Sequence, residues 1–225
     1  MGGDFRFRQF TVVQTDAPMK VGTDGVLLGA WTAVDEGCRR VLDIGTGTGV
    51  IALMLAQRLP DADITAIDID SASVACARRN ADSSPWGGRI ATVHMPVQEY
   101  MPAERFDLIV SNPPFYDDTL PCPDEGRTIA RHTRTLPFAD LLAAAGRLLN
   151  DDGRFAVIVP AVSAGRFVAA GEMHLIRRCD VSTNPSRPPK RTLLEFSKRF
   201  AGAVRFESMT VGDEYCRSLT ADFYL

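Results

Sequence analysis

The chain has 225 residues, 45% of them hydrophobic and 24% charged, with a net charge of -3. That length suits one α/β domain with a full core and is short for two. No apolar run approaches the ~20 residues needed to cross a bilayer. The start, Met1-Gly2-Gly3-Asp4-Phe5-Arg6, lacks the apolar core of a signal peptide, and Arg6 stands where an acylation signal wants Ser or Thr. The 5 cysteines are scattered without a C-x-x-C pair, and the histidines show no ligand spacing. The expectation is reduced thiols, a cytoplasmic location and no structural metal. Mild net acidity argues against a protein coated in nucleic acid, not against a local basic face.

In chain order, the first forty residues hold a candidate helix beginning near Gly25, which Thr23 or Asp24 could cap. Val41 to Gly45 reads as a buried strand, and Gly45-Thr46-Gly47-Thr48-Gly49 follows it as a glycine turn. The turn differs from the dinucleotide pattern G-x-G-x-x-G, because Val50 stands where the last glycine belongs. An acidic residue, Asp43, lies inside the strand end. A ligand with an ammonium, a carboxylate and no pyrophosphate suits this arrangement. Asp43 could hold an ammonium directly or through water, and Gly45, Gly47 and Gly49 would admit the ligand close to the main chain. A glycine turn without ligand is the plain alternative. Ile64 to Asp68 weakens it, since a second acidic strand end about twenty residues on is where a carboxylate meets ribose hydroxyls. Asp68 is taken for that role and Asp70 for the cap of the next helix.

Strands are expected near 41–45, 63–68, 90–94, 106–111, 154–160, 174–183 and 192–198, with helices near 49–59, 71–82, 137–149 and 163–171. Strands alternating with helices signal a doubly wound, mostly parallel, seven-stranded Rossmann-like sheet. Residues 1–40 form an N-terminal extension contributing to the site, 41–200 the core and 201–225 a C-terminal extension, all in one domain. Residues 119–135 read as a long loop beside the site, Asn184 to Arg191 as a hairpin-like connection, and 215–225 as a short helix returning an aromatic end to the body.

The run Leu108 to Ser111 ends in Asn112-Pro113-Pro114-Phe115. Two prolines remove two backbone donors and stiffen the turn. The Asn112 side-chain oxygen and the Pro113 carbonyl could then accept both hydrogens of a planar NH2, aiming its lone pair at an incoming methyl. Phe115 would stack on the ring, worth about 1–3 kcal/mol, with Tyr116 in support. An Asn-Pro turn ending a strand is the ordinary alternative. Asp43, Asp68 and Asn112 all fall at strand carboxyl ends, where such sheets bind ligands. The combination points to S-adenosylmethionine as cofactor and a planar nitrogen as acceptor. Two basic groups, Arg127 to Arg134 and the Arg and Lys residues from 177 to 199, favour a phosphate-bearing substrate.

On these residues the chain resembles the bacterial valine-tRNA adenine-N6 methyltransferases, which modify the adenine 3′ of the anticodon. The similarity runs through Phe7-Arg8-Gln9-Phe10, Ala17 to Trp31, Ser111 to Tyr116, Arg131-His132-Thr133, Arg187 to Arg191 and Phe223-Tyr224-Leu225. The Met19 to Trp31 block is its family-specific part; the glycine signature and Asn-Pro-Pro-aromatic are shared far more widely. The resemblance implies a class I fold, S-adenosylmethionine as donor and tRNA as substrate. It assigns the amine to Asn112 and Pro113, with Pro114 completing the catalytic turn, and the base to Phe115. It places Lys20 or Thr23 against cofactor or substrate. Where the family often has Asp near the cofactor's adenine, this chain has Pro96-Val97-Gln98, so Gln98 or a backbone amide is expected there. Tyr116, Arg131, Arg187, Lys190 and Arg191 are expected on the RNA, and the protein is expected to be a monomer. Three rivals remain: a release-factor glutamine methyltransferase, whose usual preceding helical domain has no counterpart in residues 1–40, a ribosomal-RNA amine methyltransferase, for which no extra RNA-binding domain is visible in the sequence, and a non-catalytic binder of S-adenosylmethionine or RNA.

Overall fold

The computed structural model describes residues 3–15, 17, 19–114, 136–200 and 202–224. In chain order the elements are β1 (Phe5–Arg6), β2 (Thr11–Val12), α1 (Thr23–Trp31), β3 (Arg40–Ile44), α2 (Val50–Arg58), β4 (Asp63–Asp68), α3 (Ser71–Asp82) and β5 (Ile90–His94). There follow β6 (Phe106–Ser111), α4 (Phe138–Leu148), β7 (Leu149–Pro160), α5 (Ala164–Ala169), β8 (His174–Ser182), β9 (Arg191–Ser197), β10 (Arg205–Thr210) and α6 (Glu214–Thr220). Single 3-10 turns precede β5 and α5.

Ten of these strands form two sheets, a two-stranded β1–β2 ribbon and an eight-stranded sheet in the order β10-β8-β9-β7-β6-β3-β4-β5. All pairings in the large sheet are parallel except those of β9 with β7 and β8. The class foreseen from sequence is therefore correct, and its strand count is one short. β10 adds to β8 beyond the last expected strand, pairing Arg205 with Arg177 through Thr210 with Ser182.

Alternation along the central strands divides the core between two faces. Val41, Leu108, Val110, Ala156 and Ile158 join α1, α2 and the aromatic N-terminal segment on one side. Leu42, Ile44, Ile109, Phe155, Val157 and Val159 join α4 and α5 on the other. The order reverses between β3 and β6, which flank each other with helices wound to opposite sides. Such a switch point opens a crevice at the strand carboxyl ends.

Helix α1 is held at its C-terminal end by a polar knot. Glu207 accepts from Trp31 Nε1 at 2.8 Å, Tyr215 Oη at 3.0 Å and Arg177 Nη2 at 3.0 Å. The Arg177 guanidinium also lies 4.0 Å from the Trp31 ring centroid. Arg58, in the last turn of α2, donates to the carbonyls of Gly29 and Thr32. At its start, the cap is Gly22 with no side-chain bond, so neither Thr23 nor Asp24 caps the helix. By contrast Asp70 caps α3 as expected, accepting from Ser73 N at 2.8 Å.

Glu207→Ala should leave three donors without their acceptor. Its cost is expected at about 2–4 kcal/mol, read as a lowered urea midpoint, with Glu207→Gln losing less because it can still accept from Trp31.

Candidate functional site

The glycine turn needs its glycines for a geometric reason. Gly45, Gly47 and Gly49 have φ of 72°, 55° and 81°, the left-handed region that L side chains avoid. A Cβ at Gly49 would stand 3.2 Å from the Ala77 Cα, whereas one at Gly45 or Gly47 would meet nothing within 4 Å. Gly49 therefore serves packing of the turn on α3. Gly45 and Gly47 border open space, as a ligand-admitting turn requires.

Backbone and carboxylate bonds fix the turn. The Ile67 carbonyl accepts from Gly45 N at 2.9 Å and Thr46 N at 3.1 Å. Asp68 accepts from Gly47 N at 3.0 Å through Oδ2 and from Asp70 N at 2.9 Å through Oδ1. Asp68 remains half-buried at the sheet edge, so it both braces the turn and presents a carboxylate there. Asp43 lies beneath the turn with no exposed surface. Its Oδ2 accepts from Thr46 Oγ1 at 2.7 Å, while buried Oδ1 lacks a hydrogen-bond partner. One carboxylate oxygen of Asp43, the residue expected to hold an ammonium directly or through water, is thus without a partner beneath the turn among the described residues. Burial pushes the Asp43 carboxyl up to about 7, with the Asp68 charge adding to the rise, and burial also raises Asp68.

Asn112 follows β6 at the switch point. It is half-buried, Pro113 is buried and Pro114 is exposed. Ser111 Oγ donates to the Ile44 carbonyl at 2.9 Å, tying the start of this turn to the end of β3. A Cβ on Gly25 would lie 3.9 Å from Asn112 Nδ2 and 3.3 Å from Val50 Cγ1. The first turn of α1 thus packs onto the Asn112-Pro113-Pro114 turn, which places the Met19 to Trp31 block beside it. Thr23 and Lys20 are exposed there. Phe115, Tyr116 and Arg131, and the expected loop 119–135, lie outside the described residues.

Gln98 is exposed beyond β5. Arg147 of α4 holds that loop by donating to the carbonyls of Val97 at 3.0 Å, Gln98 at 3.3 Å and Tyr100 at 2.7 Å. Arg187 and Lys190 are exposed on the β8–β9 connection, whereas Arg191 Nε donates to Asp24 Oδ2 at 2.7 Å. Two further cations of the expected basic group turn inward instead: Arg177 into the Glu207 knot and Arg178 onto Asp180 at 3.0 Å. None of the four described cysteines is in a disulfide. Among the described residues no cluster of His, Cys, Asp or Glu could hold a metal ion, and no helix is long and apolar enough to cross a membrane.

Asn80 is a positioning residue that the sequence did not reveal. On a helix it reads as one more polar residue. Buried in the fold, its Nδ2 donates to the carbonyls of Val13 at 3.0 Å and Thr48 at 2.9 Å, and its Oδ1 accepts from Val13 N at 2.9 Å. It staples the N-terminal segment to the glycine turn. Gln14 continues the staple, accepting from Val21 N at 2.8 Å.

The fold and this site define a class I S-adenosylmethionine-dependent methyltransferase. The open space over Gly45 and Gly47, bordered by Asp68 and underlain by the unsatisfied Asp43 oxygen, fits that cofactor. The family profile of the methyltransferase small domain matches residues 24–166. A tRNA1(Val) (adenine(37)-N6)-methyltransferase of Bacteroides thetaiotaomicron is 46% identical, covering 98% of this chain and 97% of its own. One from Klebsiella pneumoniae is 40% identical over 98% and 94%. A crystal structure of a predicted O-methyltransferase from Agrobacterium tumefaciens matches in fold, with a TM-score of 0.71 at 19% identity over 89% of this chain and 96% of that one. The chain belongs to the tRNA1(Val) (adenine(37)-N6)-methyltransferase family.

Asp43 gives cofactor binding a pH dependence of defined sign. Raised from 3.8 to about 7, it keeps in the folded protein a proton that the unfolded chain releases, so its contribution to stability falls as pH rises from about 4 to about 7. A nearby ammonium favours the ionised form, so cofactor binding should release this proton and tighten as pH rises toward about 7, levelling off above it. Titration calorimetry in two buffers of different ionisation enthalpy measures the release, and Asp43→Asn should remove it.

Proposed function

We propose that the protein transfers a methyl group from S-adenosylmethionine to the exocyclic N6 of an anticodon-loop adenine in a valine tRNA, in the cytoplasm. The observation that carries this reading is the meeting of Asn112, the α1 start and the glycine turn at one switch point, in a chain nearly full-length similar to tRNA1(Val) (adenine(37)-N6)-methyltransferases.

S-adenosylmethionine, when bound, supplies an electrophilic methyl on a sulfonium. Gly45 and Gly47 admit it to the main chain, Asp68 meets its ribose hydroxyls, and Gln98 or its backbone borders the adenine. The buried Asp43 charge favours the ammonium through the turn. On the other side of the switch point, the Asn112 side-chain oxygen and the Pro113 carbonyl accept the two N6 hydrogens. That pair of bonds draws the lone pair out of the ring and aims it. The acceptor loses its proton only after attack, so no strong base is required. Phe115 stacks on the base. An anticodon-loop adenine is unpaired, which removes most of the cost of extruding it.

The test is transfer from labelled S-adenosylmethionine to tRNA from cells lacking this protein, followed by nucleoside analysis. N6-methyladenosine in a valine tRNA is expected. Labelling of a release factor and not of RNA would give the reading to the glutamine methyltransferases. Asn112→Ala should bind cofactor nearly normally and lose at least roughly 100-fold in transfer, by analogy with the loss of one transition-state hydrogen bond. A variant that binds cofactor and transfers at the full rate would remove the proposed mechanism.

Arg187, Lys190 and Arg191 are proposed to meet RNA phosphates. Replacing all three by Ala should weaken tRNA binding and flatten the plot of log affinity against log salt by about 2, since each contact with single-stranded RNA contributes ~0.7. An unchanged slope would put the RNA on another surface.

A further inference from the structure

A cavity of about 220 Å³ opens beside the first turn of α1, with Thr23 and Thr183 in its lining. Leu27 of α1, Val181 at the end of β8 and Val211 after β10 give it apolar walls, and Asp24, Lys190 and Arg191 line it as well. It is a built feature rather than a surface dimple. Lys190 N donates to the Val181 carbonyl and Val211 N to the Ser182 carbonyl, both at 2.9 Å. Those two bonds tie the β8–β9 connection and the turn after β10 to the end of β8. The Arg191–Asp24 pair closes one side. Asp24 Oδ2 takes that bond, and Oδ1 makes no hydrogen bond among the described residues.

The chemistry of the cavity is that of a nucleotide. Apolar walls suit the faces of a base. A carboxylate oxygen suits an exocyclic amine or ring N–H on its edge. Cations at the rim suit a phosphate. Its position restricts which nucleotide. Asp24 is adjacent to Gly25, whose Cβ position is 3.9 Å from Asn112 Nδ2, so the cavity and the target site share the first turn of α1.

We propose that this cavity is a second base subsite, which takes the nucleotide flanking the methylated adenine and reads it through Asp24. The inference rests on the RNA-methylation reading above and deepens it. One α1 turn would then do two things: its Gly25 packs on the catalytic turn, and its Asp24 and Leu27 receive the neighbouring base. The Arg191–Asp24 pair holds the carboxylate in place before RNA arrives. It also tempers the charge of Arg191, so that Lys190 and Arg187 meet the backbone more strongly than Arg191 does.

The probe is a synthetic anticodon stem-loop RNA in which the nucleotide on either side of the target adenine is, in turn, made abasic. With the unaltered protein, one of the two abasic RNAs should show a KM raised about tenfold, the loss of roughly one base contact, with kcat little changed. Val211→Trp, a half-exposed position at which a large ring fills the cavity without entering the core, should raise KM for the intact RNA by a similar factor. On this variant the same abasic change should add nothing further. Asp24→Asn should alter the preference among bases at that position. If both abasic RNAs are methylated as well as the intact one, or if the abasic penalty persists in full on Val211→Trp, the subsite is wrong while the methylation reading stands. If the unaltered protein binds S-adenosylmethionine but methylates none of these RNAs or tRNA, the methylation reading fails and the subsite with it.

Discussion

Parallel ladders leave Ile44 of β3 opposite Ile67 of β4 on one side and Ser111 of β6 on the other. Because the three strands run the same way and end together, the residues after them must share one edge. The glycine turn, Asp68 and Asn112 come from three distant stretches of sequence, and this register alone makes them neighbours. The Ile67 carbonyl, accepting from two successive amides of the turn, and Ser111, donating to the Ile44 carbonyl, carry the register past the last ladder bond. A one-residue slip would reverse the faces of every side chain on a strand. It would drive apolar Leu42 and Ile44 out of one core layer and break the turn at once.

Helix α1 connects this edge to the far side of the sheet. Its last residue, Trp31, is clamped by Glu207, Arg177 and Tyr215 from β10, β8 and α6. Its first turn rests on Asn112 and pairs with Arg191 of β9. Nine residues long, it is fixed at both ends by elements that are remote in sequence. The C-terminal strand and helix are thus part of how the helix that packs on the Asn112 turn is held.

The sequence was most legible where local chemistry and global fold agree. Three strand ends carrying Asp43, Asp68 and Asn112 gave away the switch point, and Asp70-Ser71 gave away a cap that the structure contains. It was misleading where a tertiary contact overrides the local pattern. β10 went unseen because its alternation is inverted: Phe206 is 72% exposed while Glu207 turns inward to Arg177 and Trp31. Arg177 and Arg178 counted as surface cations for the complementary reason. Thr23 and Asp24 looked like caps because the sequence could not show that Asp24 had a partner in Arg191, 167 positions away. Asn80 and Gln14 carried no signal at all, since a buried amide stapling two loops has the same letter as an exposed one. β1 and β2, at two residues each, are too short to leave a period.

The N-terminal segment stapled over the glycine turn has a second set of attachments at the other end of the chain. Arg8 N donates to the Phe223 carbonyl, the Arg8 guanidinium bonds the Tyr224 carbonyl, and Phe7 stacks with Tyr224. These partners lie 216 positions apart in one of those bonds. Bonds between residues so distant in sequence cost loop-closure entropy before they return stability, so this seam is expected to form late in folding. A change at Phe223 or Tyr224 would therefore loosen the segment that Asn80 holds beside the glycine turn, without touching the turn itself.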